Sequence, residues 1–292
     1  MFDLARSEAG MGTLIDAWLA DAGLGMPFDA ISADPALLFS NRMAQPLIVA
    51  ATLAIWTALG SAVAQPAIVA GYSVGELAAY AVAGSLAPSD AVRVARQRAR
   101  LMDACRQAQT PQALVAVSGV ALAAAVPLAR AHGFYPAIEN GEDSVVIGGP
   151  ASSRDALLQA IAAAGGRTTV LPVELASHTP FIQGAVAPFA ALLREQAFVD
   201  PQAPVVSGIA AEPVYDAGKA IEHLSRQLAE PIRWKDCMDA LAEAGVTVAL
   251  ELGPGSSLTR MLQARHPQIA CRSVADFRTL EGVRTWLSRH VE

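Results

Sequence analysis

The chain predicts an α/β fold: a large unit of alternating strands and helices with a small βαββαβ unit inserted into it. Three observations point there. A short β-branched run, Ala67-Ile68-Val69-Ala70, passes through Gly71-Tyr72-Ser73-Val74-Gly75 into an Ala/Leu-rich helix. A compact alternation of strand and helix patterns fills the stretch from Ala113 to Leu171. The 292 residues are 53% hydrophobic and only 16% charged, enough apolar chain for a large core and too little charge for global disorder.

The elements follow in order. A helical pattern opens the chain and runs to about Ala22, and Asp34-Pro35 starts a turn. Leu47 to Ala64 carries no charge over eighteen residues, the lower limit for a membrane span. Its Thr52, Thr57, Gly60 and Ser61, with Pro46 and Pro66 at the edges and no close cluster of positive charge, favour a buried helix over 46–59. The helix after Ser73 ends near Gly84, and Ser89 or Asp90 caps another that runs to about Gln107 before Thr110-Pro111. Ala113–Gly119, Phe134–Glu139, Ser144–Ile147 and Arg167–Leu171 read as strands, with helices over Ala121–His132 and Ser152–Ala164. This is the ferredoxin-like order, with domain limits of 112–172 for the insertion and 1–111 plus 173–292 for the large unit. Helices at about 180–196, 217–229 and 234–244 follow, then a strand at Val246–Glu251 and a helix from Ser256 to about Ala264.

Composition excludes several classes. A net charge of -6 speaks against a nucleic-acid surface. Cys105, Cys237 and Cys271 lie too far apart in sequence for a metal motif or a disulfide framework, which suits a reducing cytoplasm. Asp3, Arg6 and Glu8 interrupt any apolar leader. The expectation is a cytoplasmic protein with neither a nucleic-acid nor a membrane partner, and with no metal.

Three residues stand out chemically. Strand, Gly-x-Ser-x-Gly and helix make the order of a nucleophile elbow, which lifts the Ser73 hydroxyl out of the sheet. Gly71 and Gly75 are expected where strand and helix approach too closely for side chains. The first amides of the helix, beginning with Val74, aim at an anion forming beside Ser73. On the helix from Asp90 to Gln107, spacing puts Arg93, Arg96, Gln97, Arg100 and Asp103 on one solvated face, and Arg98 in the middle of the opposite, apolar face. A buried guanidinium needs an anion, so the readings are an internal Asp or Glu, a stem that snorkels out to solvent, or a carboxylate carried by a substrate. Strand-like Thr168–Glu174 puts His178 just past a strand end and before a helix, so it is the best candidate base for Ser73. His132 at a helix end, His223 and His266 in polar helical segments and His290 near the C-terminus are set aside.

Five motifs then occur in one register: Gly71-Tyr72-Ser73-Val74-Gly75-Glu76, Arg98-Ala99-Arg100-Leu101-Met102, Ser177-His178, Gln227-Leu228-x-x-Pro231-x-x-Trp234 and Glu251-Leu252-Gly253-Pro254-Gly255. Together they resemble the malonyl-CoA:acyl-carrier-protein transacylase family, including polyketide synthase acyltransferase domains, over about residues 36–262. Gly-Tyr-Ser-Val-Gly-Glu and Ala-Ser-His-Thr-Pro resemble most the transacylase subunit of malonate decarboxylase. The resemblance implies an α/β-hydrolase-like large domain. It implies that Ser73 takes malonyl as an ester, that His178 is base and then acid, and that Arg98 holds the free carboxylate. The resemblance also implies that Gln227 or its backbone carbonyl orients His178 and that Asn140 lines the site. It implies malonyl-CoA, a coenzyme A thioester, as donor and the phosphopantetheine-type thiol of an acyl carrier protein as acceptor, with no permanently bound cofactor. Other decarboxylase subunits are further partners of the narrower reading. The alternatives are a fatty-acid or polyketide malonyltransferase, a serine hydrolase, and a catalytically impaired docking subunit.

One departure stands against the resemblance. Family members open with a strand and a Pro-Gly-Gln-Gly-x-Gln loop whose second glutamine helps form the oxyanion hole. Met1-Phe2-Asp3-Leu4 opens this sequence without that motif. The expectation is that this strand and loop are missing, and that a form extended upstream is more stable and more active.

Overall fold

The computed structural model describes residues 1–107 and 110–290. Nine strands form three sheets: β1 (Val69–Ala70), β2 (Gln112–Ser118), β3 (Tyr135–Gly141), β4 (Ser144–Pro150), β5 (Arg167–Val170), β6 (Val205–Val206), β7 (Pro213–Val214), β8 (Val248–Glu251) and β9 (Ala270–Ser273), among the described residues.

The insertion is the easiest part to derive. β3 and β4 are consecutive, joined across the Gly141–Ser144 turn, and pair antiparallel. β4 and β5 flank β2, giving the order β3-β4-β2-β5. Alternation sends Val115, Val117, Val145 and Ile147 into a core with Leu157, Ile161 and Ala129 of the two covering helices, Leu122–Ala131 and Arg154–Ala163. This is the ferredoxin-like arrangement. The outer edge of β3 is not left open: Glu139 N–H donates to the Ile232 carbonyl (2.8 Å) and Ile232 N–H to the Ala137 carbonyl (2.9 Å).

The large unit has shorter strands, in two groups. β1 pairs parallel with β6, and β6 antiparallel with β7. β8 pairs parallel with β9. One core covers a face of these strands with helices Asn41–Leu59, Val74–Val82, Pro88–Gln107 and Gln183–Arg194. A second covers the other face with Trp234–Glu243 and Ser257–Arg265. Asn41–Leu59 is long and apolar enough to cross a membrane, but two thirds of it is buried here, as the core helix expected from the sequence.

Three sequence expectations change. The strand before His178 stops at Val170, and it belongs to the small sheet. Pro172 has no N–H to extend the ladder, so residues 171–177 cross between the units without strand structure and His178 is not at a strand end. Arg96, read as solvent-facing, is buried. Pro46 sits inside Asn41–Leu59 and leaves the carbonyl four residues earlier, that of Arg42, without its helical donor. Arg96 Nη1 fills that vacancy at 3.0 Å, and Nη2 bonds the Gly23 carbonyl at 3.2 Å. His223 is also buried, bonded through Nδ1 to Ser207 Oγ at 2.8 Å. The short strands β6, β7 and β9 and the helix Leu280–Ser288 lay outside the sequence reading, because two- to four-residue strands carry too little periodicity.

Candidate active site

The elbow is built within one stretch. Ser73 adopts φ 54° and ψ -118°, a left-side conformation that a non-glycine residue takes only when its surroundings impose it. Val74 opens the helix Val74–Val82, so its N–H lacks an intrahelical acceptor and lies next to the Ser73 hydroxyl in sequence. Gly71 is required, since a Cβ there would overlap the backbone of Gly75 and Glu76. Gly75 is not, since a Cβ there meets nothing within 4 Å; the crowding expected at both glycines exists at one.

His178 comes from the crossing segment. It too has positive φ, 60°, held by its N–H donating to the Leu228 carbonyl at 2.9 Å. Its ring is almost wholly buried. Nδ1 lies 2.6 Å from the Gln227 carbonyl, and Nε2 lies 2.7 Å from Ser73 Oγ. A carbonyl only accepts, so Nδ1 carries the hydrogen and Nε2 accepts from the serine hydroxyl. Burial and the nearby Arg98 charge push the imidazole down to about 3, against the pull of the Gln227 carbonyl, so the ring is neutral and free to take a proton. Of the two options the sequence left for Gln227, the carbonyl orients the histidine.

Arg98 is 2% exposed, at the centre of the apolar face where spacing put it. Its neighbours are not an ion pair in contact. Nη1 donates to Gln45 Oε1 (2.6 Å) and Nη2 to Gln227 Oε1 (3.2 Å). Gln227 Nε2 donates in turn to Glu76 Oε2 (2.5 Å), which also accepts from Gly208 N–H (2.9 Å). Burial raises the Glu76 carboxyl to about 7, opposed by those two donors and by Arg98. Burial lowers Arg98 to about 10, opposed by Glu76. Each terminal nitrogen of Arg98 carries a second N–H, the fork that grips a carboxylate.

Asn140 lies on β3, where its Oδ1 accepts from the Tyr72 hydroxyl at 3.1 Å. The small sheet therefore reaches the residue beside Ser73. Gln45 and Glu76 took no role in the sequence reading. The signal that singled out Arg98 was present for both: one polar residue embedded in an apolar helical run.

Comparison with known proteins agrees with this geometry. A family model described as an acyl transferase domain matches residues 23–282. A malonyl CoA-acyl carrier protein transacylase of Mycobacterium tuberculosis is 33% identical over 91% of this chain and 88% of its own length. The crystal structure of the transacylase from Mycobacterium tuberculosis superposes with a TM-score of 0.89 at 30% identity, covering 97% of this chain and 94% of that one. A malonyl-transacylase solved in complex with a type II polyketide synthase acyl-carrier protein gives 0.87 at 26% identity, covering 97% and 93%. Fold and family model together define an acyltransferase. The chain belongs to the acyl transferase domain family, and within it to the malonyl-CoA:acyl-carrier-protein transacylases.

Proposed function

We propose that the protein moves a malonyl group from malonyl-CoA to the phosphopantetheine thiol of an acyl carrier protein through an ester on Ser73. The observation that carries this reading is the hydrogen-bonded run from Ser73 Oγ through His178 to the Gln227 carbonyl, with a buried arginine beside it.

The steps balance without a cofactor. Ser73 Oγ attacks the thioester carbon as His178 Nε2 takes the hydroxyl proton. The Val74 N–H and the helix end face the oxyanion of the tetrahedral intermediate. Collapse breaks the C–S bond, and the imidazolium returns its proton to the departing coenzyme A sulfur. The carrier thiol then gives its proton to His178 and attacks the ester, and Ser73 recovers the proton. The Gln227 carbonyl stabilises the imidazolium without a third acid. Arg98 pairs with the free malonyl carboxylate. That pairing cancels part of the positive field that holds His178 down, so the correct substrate makes the base stronger as it binds.

The narrower reading, in which the carrier belongs to a malonate decarboxylase and further decarboxylase subunits are partners, rests on Gly-Tyr-Ser-Val-Gly-Glu at 71–76 and Ala-Ser-His-Thr-Pro at 176–180. Transfer to a decarboxylase carrier, set against transfer to a fatty-acid or polyketide carrier, separates the two. The insertion limits 112–172 belong to the same proposal.

The primary test is intact mass after mixing with malonyl-CoA. A malonyl ester that maps to Ser73, is absent in Ser73→Ala and is discharged faster by carrier thiol than by water is the expected result. Faster discharge by water makes the protein a hydrolase, and no ester at all makes it a docking subunit.

A further inference from the structure

Among the described residues, no carboxylate touches the buried guanidinium of Arg98. The two side-chain oxygens bonded to it, Gln45 Oε1 and Gln227 Oε1, belong to neutral amides. An amide turned end for end would aim an NH2 group at a cation. Some other group must therefore fix which end of each amide faces the arginine.

On the Gln227 side that group is Glu76. Its Oε2 accepts from Gln227 Nε2 and from the Gly208 N–H, and so keeps the amide nitrogen off Arg98. On the Gln45 side the fixing group stands further away. Gln45 Nε2 donates to Asn41 Oδ1 (2.6 Å), one turn back on the helix Asn41–Leu59, with Met102 Sδ as a weaker second acceptor at 3.4 Å. Asn41 Nδ2 donates to Asp103 Oδ1 (2.9 Å) and to the Ala99 carbonyl (3.1 Å). A carboxylate and a carbonyl only accept, so Asn41 presents its nitrogen to them and its oxygen to Gln45. Gln45 is left with its own oxygen for Arg98. The direction of each bond is set from outside inwards, beginning at Asp103.

Helix geometry explains why this link needs a second helix. Asp103 and Arg98 share the helix Pro88–Gln107. Five residues separate them, about 140° round the axis at roughly 100° per residue, so the half-buried Asp103 points away from the guanidinium. Asn41 and Gln45, four residues apart and neighbours on one face of Asn41–Leu59, bridge the gap.

The arrangement suits a site that must receive a charged group. A carboxylate in contact with Arg98 would satisfy the guanidinium and compete with an incoming one. Held two amides away at Asp103 and one amide away at Glu76, the carboxylates offset part of the cost of burying the cation and leave its remaining N–H groups open. We propose that Asp103 and Asn41 are positioning residues for Arg98, and that from outside the site they set the preference for acyl groups ending in a carboxylate over uncharged ones. The proposal rests on the reading of Arg98 as the partner of the malonyl carboxylate.

The test compares kcat/KM for malonyl-CoA and acetyl-CoA, read from coenzyme A release, in the 292-residue protein and its variants. Asp103→Asn removes the charge and brings in a side chain that both accepts and donates. The malonyl-to-acetyl ratio should fall about threefold to tenfold. The loss should lie in KM for malonyl-CoA, because Arg98 holds the remote carboxylate in the ground state and the transition state alike. Asn41→Leu cuts the link outright and should lower the ratio about tenfold or more. Asp103→Glu keeps a group that only accepts and should hold the ratio near that of the unaltered protein. In an Arg98→Ala background Asp103→Asn should be silent, since it acts only through the arginine; a residue that merely braced the two helices would keep its effect there. Arg98→Ala itself separates the two readings. If it leaves the ratio unchanged, recognition of malonyl by Arg98 falls and the proposal with it. If it lowers the ratio while Asp103→Asn does not, or if Asp103→Asn costs as much without the arginine as with it, the proposal falls alone.

Discussion

The two walls of the site are made in different ways. The Ser73 wall is one unbroken stretch, from β1 through the turn into Val74–Val82, and its geometry is set by local conformation. The facing wall gathers His178, Gln227, Arg98 and Gln45 from four distant parts of the chain and is tied back to the elbow by Glu76. Nothing local fixes these side chains; each is held by the next. A change in the first wall should therefore act as packing, and a change in the second should spread along hydrogen bonds to the proton and the carboxylate.

The largest effect should come from the remote wall. His178→Ala should slow Ser73 ester formation by about 10²–10⁴, the usual worth of a positioned base. Stopped-flow release of coenzyme A measures it, and an unchanged rate would take the histidine out of the chemistry. Next, Arg98→Ala should cost malonyl transfer about 10–100-fold, the worth of hydrogen bonds to a charged group, while acetyl transfer changes little or rises. Lysine should rescue poorly, having no planar fork. Parallel loss of both acyl groups would make Arg98 a structural residue.

The local wall answers to volume alone. Gly71→Ala forces a Cβ into the Gly75–Glu76 backbone and should cost about 1–3 kcal/mol in urea unfolding, with ester formation lost alongside. Gly75→Ala, four residues away in the same motif, meets open space and should be nearly silent. Equal effects at both would refute the difference between the two glycines.

The smallest effect is a pH slope that two buried groups hide from each other. His178 is depressed from 6.5 to about 3, so the unfolded chain binds the extra proton between those values and stability rises with pH there. Glu76 is raised from 4.5 to about 7, so the folded chain binds the extra proton between those values and stability falls as pH rises. Between pH 4.5 and 6.5 the slopes oppose. Glu76→Gln should expose the histidine's, at most about 1.4 kcal/mol per pH unit, with stability rising with pH. His178→Ala should expose the opposite slope. Denaturant midpoints across this range decide it; two variants with the same sign of slope would show that the groups are not shifted as described.

Much of the molecule was legible because its signals are local. The elbow shows itself as a strand, a Gly-x-Ser-x-Gly turn and a helix within a dozen residues, although only Gly71 of its two glycines is sterically required. The βαββαβ insertion needs only short connections and alternation, and its strand order follows from hairpin neighbours. Arg98 announced itself because a charge on an apolar face has few explanations. The sequence also carried enough register among its motifs to name the family. Tertiary structure alone decided the rest. That Gln227 offers its carbonyl to His178 and its side chain to Arg98 and Glu76 depends on packing between segments 49 to 151 residues apart. Arg96 went inside because Pro46, fifty residues earlier, left a carbonyl that some donor had to meet. Periodicity reports which face of an element is buried; it carries no information on which distant backbone group or side chain will be there to satisfy it.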